Sequence, residues 1–183
     1  MKPVARMSKA ELAAFTQEHL RSRGIDVVLC GGACVSIYSR EKYVSMDLDM
    51  VHISLMAPKR NLISETMKRL GFSEKGRYFK HPDTELIIEF PKGPPAVGEE
   101  PVKEIHERKE VTGILKIISP TDCVKDRLTW FYHDNDRQCL EQAVLVAREN
   151  KIDIREVERW SAGEGKKNLF QQIKKQLTTK DNS

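Results

Sequence analysis

The stretch LCGGACVSIYSREKYVSMDLDMV, residues 29–51, decides how the rest of the chain is read. It completes IDVVLC (25–30), a β-branched run suited to a buried strand, and passes at once into Gly31-Gly32. ACVSIYS (33–39) has the character of a short helix. DLDMVHI (47–53) alternates carboxylate and apolar residues, the period-two pattern of a strand with one functional face. Strand geometry sets Asp47 and Asp49 on the same side, ~6.6 Å apart along the backbone, and turns Leu48 and Met50 toward the core.

Outward from this stretch, Ser8 and Glu11 form a capping box for an N-terminal helix that Gly24 stops. Pro58 opens a second helix that runs through Leu62, Met67 and Leu70 and closes at Gly71. FSEKGRYFK (72–80) reads as a hairpin turning at Lys75-Gly76. TELIIEF (84–90) reads as the next strand, with Glu85, Ile87 and Glu89 on one face, and KGPPAVGEEP (92–101) as a Pro/Gly-rich loop. A strand pair is expected near 105–111 and 114–118. From Ser119-Pro120 onward the pattern is helical, over 120–133, 136–149, 153–162 and 165–177.

The fold class implied is α/β (α+β): a small mixed β-sheet flanked by helices, followed by a helical C-terminal region. The division expected is a core over 1–118, a helical region over 119–178 packed on it, and a frayed tail over 179–183. The 183 residues suit one domain with a helical annex.

Lys and Arg total 31 against 27 Asp and Glu, a net charge of +4 that permits an anionic partner without demanding one. Nothing approaches the ~20 apolar residues of a membrane span, and the first residues carry no signal-peptide run. The four cysteines, Cys30, Cys34, Cys123 and Cys139, form no CxxC pair and read as reduced, packed thiols. A cytoplasmic protein without a membrane partner is the expectation. The histidines are scattered without ligand spacing, and the trio Trp130-Phe131-Tyr132 would pack two rings and leave one at an interface.

The chemistry is carried by Gly31-Gly32, Asp47-Leu48-Asp49 and Glu89 together. If the strands are neighbours, Asp47, Asp49 and Glu89 converge, with Glu85 the competing inward residue. At ~6 Å and an effective dielectric near 20, each pair repels by ~3 kcal/mol, a cost that remains unless a cation neutralises the cluster or some carboxylates stay protonated. All-oxygen donors favour Mg2+ or Mn2+ over zinc. The glycines let the backbone approach a phosphate, and the following helix offers free N–H groups and a positive dipole end. A metal-bound triphosphate between the two suits nucleotidyl transfer.

The same stretch resembles the signature of the nucleotidyltransferase superfamily typified by DNA polymerase beta. That signature is a Gly-Gly or Gly-Ser turn, about a dozen residues, carboxylate–apolar–carboxylate, and a third carboxylate on a later strand. It is especially similar to the minimal prokaryotic branch of abortive-infection and toxin–antitoxin nucleotidyltransferases, in Gly31-Gly32-Ala33-Cys34 and Ser45-Met46-Asp47-Leu48-Asp49. The resemblance spans roughly residues 25–147. It implies Asp47, Asp49 and Glu89 as catalytic and metal-binding residues, and Gly31, Gly32, Ser36 and Lys125 as nucleotide-binding residues, with Arg127 and Arg137 as further candidates. Ser36 would replace the turn hydroxyl that Gly32 lacks, and Tyr43 stands where related sequences often carry an arginine. The function implied is metal-dependent transfer of an NMP from an NTP to an acceptor hydroxyl on RNA, protein or a small molecule. The alternative is a non-catalytic module of this fold that binds nucleotide, RNA or a partner protein, for example as a toxin–antitoxin component.

Overall fold

The computed structural model of the chain describes residues 2–54, 56, 58 and 60–179. The capping box forms as the sequence requires. Ser8 Oγ accepts from the Glu11 N–H at 3.2 Å, and Glu11 returns a bond to the Ser8 N–H, opening α1 (Lys9–Arg21). Then follow β1 (Val27–Cys30), α2 (Gly31–Tyr38), β2 (Asp47–His52) and α3 (Arg60–Arg69). The hairpin β3 (Ser73–Lys75) and β4 (Tyr78–Lys80) leads to β5 (Ile87–Glu89). Strand β5 is shorter than the expected 84–90, and Glu85 lies outside it, exposed. The expected loop 92–101 instead holds a small hairpin, β6 (Ala96–Val97) and β7 (Glu100–Pro101). The chain continues through β8 (Ile105–Glu110) and β9 (Gly113–Ile118), and then α4 (Pro120–Asp134), α5 (Arg137–Glu149), α6 (Ile154–Gly163) and α7 (Lys167–Thr178). Of the expected tail, residues 180–183 fall outside the described residues.

Seven strands make one mixed sheet in the order β3-β4-β5-β2-β1-β9-β8. Its central strand is β2, antiparallel to β1 on one side and parallel to β5 on the other, and β1 is in turn parallel to β9. The fold class is the mixed α/β architecture expected. Leu29, Leu48, Met50, Phe79, Ile88, Leu115 and Ile117 are all at most 2% exposed and form the sheet's contribution to the core. Helix α1 packs against β9, where the Gln17 side chain spans the Lys116 backbone, donating to its carbonyl (2.8 Å) and accepting from its N–H (2.7 Å).

The last four helices pack on one another, α4 on α5 and α6, and α7 on α5 and α6, and both α4 and α5 pack on α2. Ser119 caps α4 by accepting from the Asp122 N–H, and Pro120 occupies the first turn, where its missing N–H costs nothing. Trp160 is fully buried, stacks on Tyr132 at 5.8 Å and donates its indole N–H to the Val97 carbonyl, which ties α6 to the small hairpin. Of the aromatic trio, Phe131 and Tyr132 are 5% exposed and Trp130 is 51% exposed. Among the described residues, no helix is long and apolar enough to cross a membrane.

Candidate active site

Strand register assembles the site. The parallel β2–β5 pair sets Asp47 beside Ile87 and Asp49 beside Glu89, so the carboxylates of Asp47, Asp49 and Glu89 share one face. Leu48 and Ile88, paired between them, point the other way and are fully buried. On its other side Asp49 pairs with Cys30, the residue that leads into α2. Strand placement thus selects Glu89 over Glu85.

Gly31 begins α2 with φ +70°, in the left-handed region that favours glycine. A Cβ there would stand 2.2 Å from Asp49 Oδ2, so this carboxylate lies directly against the helix N-terminus. Gly32 answers a second close approach: a Cβ at this position would meet Ser45 Oγ at 3.0 Å and the Tyr43 ring at 3.6 Å. The hydroxyl nearest the turn is therefore that of Ser45.

Burial pushes the Asp49 carboxyl up to about 6, with the charges of Glu89, Asp47 and Asp126 adding to the shift and Arg127 opposing it. Asp126 and Arg127 sit on α4 and are paired with each other at 2.6 Å, with Arg127 also reaching Gln142 of α5. Burial alone would lower the Arg127 pKa; Asp126 outweighs it and the net shift is upward. Burial likewise raises the thiols of Cys30, Cys34 and Cys123, so none is an activated nucleophile.

Two expected nucleotide contacts are corrected. Ser36 is fully buried and its hydroxyl accepts the Ser45 N–H at 2.8 Å; it braces the segment before β2 and does not face a phosphate. Lys125 is also fully buried, ion-paired with Asp122 Oδ1 at 2.6 Å and Glu156 Oε1 at 3.3 Å. Asp122 Oδ2 in turn accepts the backbone N–H groups of Lys103 and Glu104. Lys125 therefore clamps α4 to α6 and to the segment entering β8. The α4 cation beside the carboxylates is Arg127, two residues on.

Arg77, in the β3–β4 turn, is the residue that sequence reasoning missed. Its Nε lies 3.2 Å from Glu89 Oε1, and its guanidinium lies over the Tyr78 ring at 4.9 Å. Its side chain is 70% exposed. The signal was the pairing of this hairpin with β5, which puts Tyr78 opposite Glu89. Among the described residues, no three His, Cys, Asp or Glu side chains are gathered so as to cage an ion. The donor set nonetheless fits a hard divalent cation. Oxygen carboxylates share one face, and burial first, with the charges of Glu89 and Asp47 after it, opposes ionisation of Asp49, a cost that a bound cation would offset.

No family model matches the sequence, and no curated protein gives a significant match. Among solved structures, the chain is similar to the aminoglycoside nucleotidyltransferase ANT(2'')-Ia, an antibiotic-resistance factor. Its solution structure superposes with a TM-score of 0.51 at 12% identity, covering 86% of this chain and 91% of that one. Its crystal structure in complex with adenylyl-2''-tobramycin gives 0.50 at 13% identity, over 81% and 91%. The fold is a nucleotidyltransferase fold. The nucleotidyltransferase likeness extends past the sheet into the C-terminal helices, since the superposed share of the chain exceeds the 118 residues that end at β9.

Proposed function

We propose that the chain is a metal-dependent nucleotidyltransferase that moves an NMP from an NTP to an acceptor hydroxyl. The observation that carries this reading is the register that aligns Asp47, Asp49 and Glu89 on one face, with Asp49 against the N-terminus of α2. Asp47 and Asp49 would hold Mg2+ or Mn2+, and Glu89 would join them or accept the proton of the attacking hydroxyl. When bound, the cation would neutralise the triphosphate and the carboxylates and favour departure of pyrophosphate.

The chain's own groups do the rest. Gly31 and Gly32 let the triphosphate approach the free N–H groups of α2. Ser45, beside the turn, offers the hydroxyl that Gly32 lacks. Arg77 can exchange Glu89 for a phosphate oxygen, because its side chain is largely in solvent. Arg127 balances charge beside Asp49. The ANT(2'')-Ia likeness makes a small-molecule hydroxyl the first acceptor to test; RNA and protein acceptors rest only on the sequence resemblance.

The Arg77–Glu89 ion pair favours a second reading, a nucleotide-binding module of the same fold without turnover, the form in which a toxin–antitoxin role would also be met. The test is thermal. Mg2+ with an NTP should raise the melting temperature, and the double variant Asp47→Asn/Asp49→Asn should abolish the rise. Pyrophosphate release, or label transfer from an α-labelled NTP to an acceptor, then separates enzyme from binder. Absence of any rise would remove both readings.

A further inference from the structure

We infer that Trp130 is the platform on which the nucleobase of the bound NTP stacks. This rests on the reading of the site as a nucleotide site and adds where the base goes. At 3.6 residues per turn, Cys123, Asp126, Arg127, Trp130 and Asp134 fall on one ~100° stripe of α4. The stripe begins buried, with Cys123 at 0% exposure where α4 packs on α2. One turn later it presents Asp126 and Arg127, whose charges act on Asp49 and Cys30. A further turn along it leaves the packed region, and Trp130 emerges at 51% exposure. Helical side chains lean toward the N-terminus of their helix, which tilts the indole back toward Asp126 and Arg127.

Strand order assigns this side of the cleft to the nucleotide. Helix α4 packs on α2, whose first turn holds Gly31 and the N–H groups for phosphate. Glu89 is on β5, across β2 from β1, so an acceptor hydroxyl meeting Glu89 comes from the opposite side. A base linked through its sugar to a phosphate at Gly31 extends toward the open end of α4. There Trp130 offers the largest aromatic face of any residue type. Neither neighbour competes for the role: the Arg127 guanidinium is held by Asp126 and Gln142, and Asp126 carries no ring.

The protein reports on the contact itself. Its two tryptophans are Trp130, exposed, and Trp160, fully buried. ATP, GTP, CTP and UTP, each with Mg2+, are titrated against solvent-exposed indole emission, with Mg2+–tripolyphosphate as the base-free control. At least one NTP should quench the emission while tripolyphosphate does not. By calorimetry, Trp130→Ala should weaken that NTP about tenfold and Trp130→Phe by no more than about twofold, in keeping with base–aromatic stacking. Quenching by a sugar-like acceptor and not by any NTP would overturn the inference. Equal stabilisation by NTP and tripolyphosphate with unchanged emission would overturn it while leaving the nucleotide site intact. No stabilisation by either would remove the nucleotide reading and the inference together.

Discussion

Replacing Asp49 by asparagine should make the protein more stable at neutral pH. Asp49 titrates near 6 in the fold against 3.8 for the ordinary side chain, chiefly because of its burial and secondly because of Glu89 and Asp47. Between these values the folded chain holds a proton that the unfolded chain has released, so stability falls as pH rises through the window. The fall is complete above about pH 6, and a shift of about two units at ~1.36 kcal/mol each amounts to ~3 kcal/mol. Asparagine removes the titration while keeping the shape. For a chain of this size that corresponds to a gain of about 6–10 °C in melting temperature at pH 7.5. At pH 4 most of the gain should vanish, because folded Asp49 is then already neutral. Scanning fluorimetry or urea denaturation from pH 4 to 8, on wild type and variant side by side, reads both limits. A variant less stable than wild type at pH 7.5, or a gain independent of pH, would refute the account of the acidic face.

Three other substitutions probe other parts of the site. Gly31→Ala places a side chain in left-handed backbone and against Asp49 Oδ2, so it should cost ~1–2 kcal/mol in denaturation and displace the carboxylate, with Mn2+ binding reduced alongside. Lys125→Met should cost ~3–5 kcal/mol because it strands buried Asp122, whose Oδ1 is ion-paired with this ammonium and has no other partner among the described residues. Its effect on nucleotide affinity in the surviving folded fraction should be small; a selective loss of NTP binding would return Lys125 to the nucleotide site. Arg77→Ala should free Glu89 and strengthen nucleotide-free Mn2+ binding about two- to fivefold, as expected for release of an exposed ion pair, read by electron paramagnetic resonance. The same variant should bind NTP more weakly.

The sheet was legible because its signals are local and redundant. A β-branched run meeting Gly-Gly, carboxylates alternating with Leu48 and Met50, and a capping box at Ser8 each have one physical solution, and each is found. Asp47, Asp49 and Glu89 were legible for the same reason, since period two fixes the face once the strands are paired. Helix α4 was not. Its buried residues Cys123, Val124, Leu128, Phe131 and Tyr132 cover so wide an arc that periodicity cannot say which side meets the sheet. Lys125 was thus taken for a ligand when it is a buried clamp, while Arg127, named from the sequence only as a further candidate, is the α4 cation whose charge acts on Asp49. Ser36 failed differently: its hydroxyl is buried and consumed by the Ser45 backbone, a contact between segments nine residues apart that no local pattern encodes. Arg77 enters through tertiary pairing of a hairpin with β5, and its own neighbourhood in sequence is silent about Glu89.

A single apolar cluster runs from Ala10 in α1 through the central strands to Leu177 in α7. Sheet and C-terminal helices therefore have no separate interiors to melt in turn, and cooperative loss of the whole structure is what heat should produce. A ligand seated between α2 and β2 is then felt by α7 as much as by Gly31, although the two are far apart in sequence. The chain is its own amplifier: one unfolding curve integrates everything that happens at the cleft, and a mutation remote from it in α6 or α7 shifts the baseline from which that signal is read.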